Sequence, residues 1–139
     1  VLIDAPARRT DAHGSGAYGA SRAGGRRHRG VDIACYPGSR VLAVAGGRVS
    51  KIGYPYDPTD ARRGHLRYVE LTDADGFRAR YFYVAPSVEV GSDARRGAPL
   101  GITQPLRPIY PGITEHLHFE VIAPDGHHLN PADYAEIMP

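Results

Sequence analysis

From residue 31 onward the chain falls into short apolar-rich segments separated by turn residues, several of them alternating apolar and polar positions with the period of two of strands that bury one face on a sheet. Val31-Asp-Ile-Ala34, Val41-Leu-Ala-Val-Ala45 and Arg48-Val-Ser-Lys-Ile52 are separated by Pro37-Gly38 and Gly46-Gly47, and so read as successive strands joined by tight turns. Tyr68-Val-Glu-Leu-Thr72 and Phe77 to Val84 flank Asp73-Ala-Asp-Gly76, a strong hairpin signal. Alternation along the second arm puts Phe77, Ala79, Tyr81 and Tyr83 on one face. A last strand, His116 to Ile122, carries His116, His118 and Glu120 on one side and Leu117, Phe119 and Val121 on the other. Between these segments, Tyr54 to Leu66 holds two prolines, two aspartates and Gly64, which makes it a loop long enough to border a groove. Val1 to Arg27 is rich in Gly, Ala, Ser and Arg and reads as a loop wrapping the sheet, and Asn130-Pro131 starts a short helical turn through Tyr134.

Composition narrows this picture to one all-β domain spanning residues 1–139. Seventeen Gly, 12 Pro and no Trp favour short strands and many turns over long helices. The length suffices for one continuous core and is too short for two. Arg clusters at 26–27, 62–63 and 95–96, but acids share the same segments and the net charge is only +2, so nucleic acid is not the expected partner. No run approaches the roughly 20 apolar residues of a membrane span. The chain starts at Val1 without the basic and apolar regions of a secretory signal, and a removed upstream segment stays open. A single cysteine, Cys35, rules out an internal disulfide and any zinc site built on several thiolates; its simplest use is as a small core residue.

Any metal is therefore held by His, Asp or Glu. Two short spacings lie nearly ninety residues apart, His28-Arg-Gly-Val-Asp32 and His116-Leu-His118. Neither is decisive alone, and both occur by chance in chains with this many histidines. Strand context sharpens them. His116 and His118 project from the same side of a strand about 7 Å apart at the backbone, so one suits a metal while the other acts beside it. Asp32 is a poor β-former inside an apolar strand, where an acid wants a partner. The plainer use of the same residues pairs Asp32 with a neighbouring Arg and leaves the histidines exposed.

His28-Arg-Gly-Val-Asp-Ile-Ala34, the Gly97-Ala-Pro-Leu-Gly101 turn and His116-Leu-His-Phe-Glu-Val121 resemble, in order and over nearly the whole chain, the signatures of the lysostaphin-like (LytM-like) zinc endopeptidases that cut peptide cross-links of bacterial cell walls. The resemblance implies a small antiparallel β-sandwich, the duplicated hybrid motif, with long loops bordering a groove. It implies one zinc ion held by His28, Asp32 and His118, with His116 as the catalytic histidine. One departure stands out. The family usually has a second catalytic histidine after its central hairpin, where this chain has Tyr83 in Tyr81-Phe-Tyr83-Val84. That departure, with His13-Gly-Ser-Gly-Ala-Tyr18 and Tyr110-Pro-Gly-Ile113, is similar to a branch of secreted signalling proteins, the leukocyte-cell-derived chemotaxins, in which the zinc site persists without peptidase activity.

The function expected from the resemblance is zinc-dependent hydrolysis of peptide bonds in peptidoglycan stems or cross-bridges, outside the cytoplasm, in a periplasmic or secreted setting. The alternative is a zinc-stabilised binding or signalling module. In the first case His116 takes a proton from water, and the Tyr83 hydroxyl, a poor base with its ordinary pKa near 10, donates to the oxyanion. A purely packed Tyr83, against Tyr81 and Phe77, is the competing use. His13, Arg22, Tyr54, Tyr56 and Tyr110 sit on segments expected to rim the groove and contact substrate, although Arg22 equally suits holding the lead loop to the sheet. His65, His127 and His128 have no partner spacing and read as surface residues. The expected partner is peptidoglycan peptide, and the chain is expected to be a monomer.

Overall fold

The computed structural model describes residues 16–20, 22 and 27–137, with side chains to 134. Its strands are β1 (Val31–Ala34), β2 (Arg40–Leu42), β3 (Gly47–Gly53), β4 (Tyr68–Thr72), β5 (Arg78–Phe82), β6 (Val84–Pro86), β7 (Asp93–Ala94), β8 (Pro99–Thr103), β9 (His116–Ile122) and β10 (His128–Leu129), followed by helix α1 (Pro131–Ile137). The larger sheet runs β1-β9-β5-β4-β3-β7, with β10 also paired to β9, and the smaller runs β2-β8-β6. Every strand pair is antiparallel. The all-β antiparallel architecture agrees with the sequence reading.

The hairpin at Asp73–Gly76 forms as expected. Asp73 Oδ1 accepts from the backbone N–H groups of Asp75 and Phe77 at 2.9 and 3.0 Å, and Gly76 takes φ +88°, a conformation that costs glycine nothing. Strand β9 matches its predicted limits. Leu117, Phe119 and Val121 enter a core that also holds Val41, Val49, Val69, Leu71, Ala79, Tyr81 and Leu100. Tyr81 is fully buried against Phe119, ring centres 5.0 Å apart, and its hydroxyl accepts from Val44 N–H at 3.0 Å.

Two expectations are corrected. The segments from residues 31 to 53 are not a chain of hairpins. β1 pairs with β9, β2 crosses to the smaller sheet beside β8, and β3 pairs with β4 and β7. Turn residues mark where strands end, but long-range pairing decides their neighbours. The arm from 77 to 84 is also not one strand: it breaks at Tyr83, where φ is +69°, and the chain leaves the large sheet for the small one. Tyr83 therefore leaves the alternation that sends Ala79 and Tyr81 into the core.

The terminal turn is longer than expected, running from Pro131 to Ile137. Asn130 caps it, Oδ1 accepting from Ala132 N–H at 3.1 Å and the carbonyl from Asp133 N–H at 3.0 Å. Asn130→Ala is expected to cost about 1 kcal/mol of stability in urea unfolding; an unchanged midpoint would show that the cap contributes nothing.

Candidate metal centre and groove

His28 precedes β1, Asp32 lies within it, and His118 is the register partner of Asp32 on β9. Antiparallel pairing thus brings together residues that are 86 positions apart. Asp32 Oδ1 stands 3.1 Å from His28 Nε2 and 2.8 Å from His118 Nδ1, and the two nitrogens are 3.0 Å apart. Asp32 is 2 % exposed. Burial alone would raise its pKa, but the imidazoles of His118 and His28, with the charge on His116 adding to them, hold it far below the usual carboxylate range. Burial likewise opposes charge on His118, yet the carboxylates of Asp32 and Glu120 lift its pKa to about 9.

These three donor atoms suit a zinc ion. At zinc–ligand bonds of about 2.0–2.1 Å, tetrahedral ligand atoms lie roughly 3.3 Å apart, slightly wider than the triangle found here, and two imidazoles with one carboxylate form an N/O donor set that leaves a fourth position for a reactant. Hydrogen bonds select the donor nitrogens. His28 Nδ1–H donates to Ala17 O at 2.9 Å and turns Nε2 toward Asp32. His118 Nε2–H donates to Glu120 Oε2 at 2.7 Å and turns Nδ1 to the same point.

His116, one pleat away on β9, sends Nδ1–H to Thr114 O at 2.7 Å, which leaves the lone pair on Nε2. That nitrogen is 3.5 Å from Asp32 Oδ2. His116 is buried, and the Tyr83 ring meets it edge-on with ring centres 5.7 Å apart. The left-handed backbone of Tyr83, a conformation costing a non-glycine residue about 1–2 kcal/mol, aims the ring into the groove rather than the core. Arg67 O accepts from Tyr83 and Val84 N–H at 2.8 and 3.2 Å, and Tyr83 O accepts from Gln104 N–H at 2.8 Å. Gln104 Oε1 in turn accepts from Arg67 N–H at 2.9 Å. This clamp, which sequence reading did not anticipate, holds Tyr83 against Leu66, Leu106, Ile109 and Ile113 rather than against Phe77 and Tyr81.

The groove encloses about 300 Å³ and is lined by Arg22, His28, Asp32, Tyr56, Tyr83, Leu106, Tyr110, Ile113, His116 and His118. Arg22 reaches toward Asp32 Oδ2 at 3.9 Å. Tyr110 donates to Tyr56 at 3.0 Å, and Tyr83 lies beside them in the same cluster, so three phenols share one wall. Burial raises the Tyr83 pKa well above 10, with Tyr56 and the charge on Asp32 adding to the effect, so the hydroxyl stays protonated. Tyr54 stands outside this lining: it is 45 % exposed and covered by the Arg67 guanidinium at 4.1 Å. His13 lies outside the described residues.

His65 and His127 are on the surface as expected. His128 is not the unpaired surface residue that its spacing suggests, since it donates to Glu120 Oε1 at 2.9 Å. Cys35 is half-buried at the end of β1 and belongs to neither core cluster, and burial raises its thiol pKa. Glu115 is a further residue that spacing could not reveal. Its buried carboxylate accepts from Leu106 N–H at 2.8 Å and Arg107 N–H at 2.7 Å, tying the groove loop to the start of β9.

Sheet, groove and converging side chains together define the lysostaphin-like class of metallopeptidase domains. The chain belongs to Peptidase family M23, whose sequence model matches residues 26–131. Among curated relatives, it is 36 % identical to Leukocyte cell-derived chemotaxin-2 of Bos taurus and 37 % to that of Mus musculus, each over 113 residues that cover 81 % of this chain and 71 % of the relative. The catalytic domain of the prophage-encoded M23 protein EnpA from Enterococcus faecalis, solved as a mutant, superposes with a TM-score of 0.65 at 23 % identity, covering 95 % of this chain and 94 % of that one. The catalytic domain of the antimicrobial peptidase lysostaphin from Staphylococcus simulans gives 0.62 at 23 %, with 91 % of each chain covered. Among the described residues, no helix is long and apolar enough to cross a membrane.

Proposed function

We propose that this chain is a zinc-dependent metalloendopeptidase that hydrolyses peptide bonds in the stems or cross-bridges of peptidoglycan, working outside the cytoplasm. The observation that carries the proposal is the convergence of His28 Nε2, Asp32 Oδ1 and His118 Nδ1 beside the Nε2 lone pair of His116. Zinc held by the three residues supplies Lewis acidity toward a peptide carbonyl and toward water. His116 accepts the proton of the attacking water at Nε2 and returns it to the leaving amine, with Thr114 O keeping its ring in one tautomer. Tyr83, protonated at working pH, donates to the oxyanion. Tyr56, Tyr110 and Arg22 provide the groove wall along which an extended peptide lies.

A second reading, a zinc-stabilised binding or signalling module, is favoured by one feature: Tyr83 stands where the resemblance places a histidine, in a chain whose similarity to the chemotaxin relatives extends over 81 % of its length. Fragment analysis separates the two. Zinc-loaded protein incubated with purified peptidoglycan is expected to release peptide-linked fragments detectable by mass spectrometry. Tyr83→Phe keeps ring and packing but removes one donor, and is expected to slow release by about a hundredfold, on the order of 3 kcal/mol in the barrier. Full activity in Tyr83→Phe would remove the tyrosine from the chemistry while leaving the enzyme. No fragments from any wall chemistry, alongside retained binding to peptidoglycan or to a protein, would leave the binding module.

A further inference from the structure

Glu120 lies on the site face of β9 two residues beyond His118, and its side chain is 12 % exposed. Its register partner across β5, Arg80, turns away to Glu70, which it meets at 2.7 Å. Both Glu120 oxygens are taken by imidazoles instead: Oε2 by His118 Nε2–H at 2.7 Å and Oε1 by His128 Nε2–H at 2.9 Å. Space for this carboxylate depends on Gly30, where an added Cβ would collide with Phe119 O and lie 2.9 Å from Glu120 Cγ. The third member is delivered by a tight hairpin. Ala123 N–H donates to His127 O at 2.8 Å, Gly126 takes φ +94°, Asp125 accepts from His127 N–H at 3.0 Å, and β10 pairs His128 with Ile122. In that register His127 points to solvent and His128 turns back to Glu120.

We propose that His118, Glu120 and His128 form one positioning arm that sets the affinity of the metal centre, with Glu120 and His128 touching neither metal nor substrate. The inference rests on the zinc reading of the previous section. A ring nitrogen can bind metal only where it carries a lone pair, and the hydrogen bond made by the other nitrogen decides which one that is. Glu120 fixes the proton on His118 Nε2 and so presents Nδ1, the nitrogen already aimed at Asp32 and His28. A carboxylate acceptor also makes the imidazole a stronger donor to metal. His128 stops Glu120 from rotating away from His118, which is why a residue with no ligand spacing sits on a short, capped hairpin.

Zinc affinity of the full chain, read by competition with a chromophoric chelator, tests the arm. Glu120→Leu is expected to weaken binding about 10- to 100-fold and His128→Ala about tenfold, the range found for such outer partners. His128→Gln, whose amide can still donate to Glu120, is expected to recover most of that loss. In the zinc-loaded wild type, long-range ¹⁵N spectra should show the His118 proton on Nε2. Wild-type affinity in His128→Ala, or a His118 ring protonated on Nδ1 instead, would overturn the arm. If Glu120→Leu fails to fold, His128→Ala and the ¹⁵N spectra still decide the matter. A wild type that binds no zinc at all would overturn the zinc reading itself, and the arm with it.

Discussion

Asp32→Ala is expected to remove stoichiometric zinc from the chain and, with it, all peptidoglycan cleavage. Asp32 is the only carboxylate among the three converging donors, and its Oδ1 lies within 3.1 Å of both ligand nitrogens. Without it, two neutral imidazoles would have to hold a dication with no balancing charge in a buried setting. Changes beyond the ligand shell cost about 10- to 100-fold in affinity, so losing a charged ligand should cost more than about a hundredfold. Metal analysis after dialysis, with chelator competition on the same sample, reads this directly. Asp32→Asn is the companion variant, because it keeps the volume of a side chain that is only 2 % exposed and so separates loss of charge from loss of packing. Full stoichiometry and affinity in both variants would rule out the three-residue site.

His116→Ala is expected to retain zinc while slowing fragment release by about 100- to 10,000-fold, the usual worth of a positioned acid–base group. The expectation comes from the ring's two attachments. Nδ1–H is committed to Thr114 O, and Nε2 faces Asp32 Oδ2 at 3.5 Å, outside the triangle formed by the three donor atoms. A His116→Ala protein that lost its metal would exchange the roles of ligand and base between the two histidines of β9. Unchanged cleavage with metal retained would instead free His116 from the proton transfer. Against Tyr83→Phe, which removes a single donor, His116→Ala should be the more severe loss, since it removes the group that both accepts and returns the proton.

Much of the frame on which these expectations stand was legible in the chain. Strand β9 could be read because one period-two run separates Leu117, Phe119 and Val121 from His116, His118 and Glu120, and burying the apolar set forces the polar set onto the opposite face. The hairpin at Asp73–Gly76 was legible because the caps that close it lie within four residues of one another. What escaped was whatever depends on partners that pairing brings from far away. Alternation put Tyr83 on one face with Tyr81, and no local signal marks the left-handed backbone that turns it into the groove. That conformation is imposed by Arg67 and Gln104, 16 and 21 residues distant. For the same reason Tyr56 rather than Tyr54 lines the groove, although the two are neighbours on one loop.

By itself the sequence determined an all-β frame, the polar face of β9 and a set of candidate ligands limited to imidazole and carboxylate, because these follow from side-chain chemistry and from a periodicity complete within a few residues. Tertiary structure alone decided which nitrogen of each histidine faces the site, how Tyr83 is aimed, that Glu115 ties down the groove loop, and that His128 belongs with Glu120 rather than with solvent. Each of those outcomes is a hydrogen bond or a close approach between segments that meet only when strands pair. The distance between their residues along the chain carries no information about the distance between their atoms.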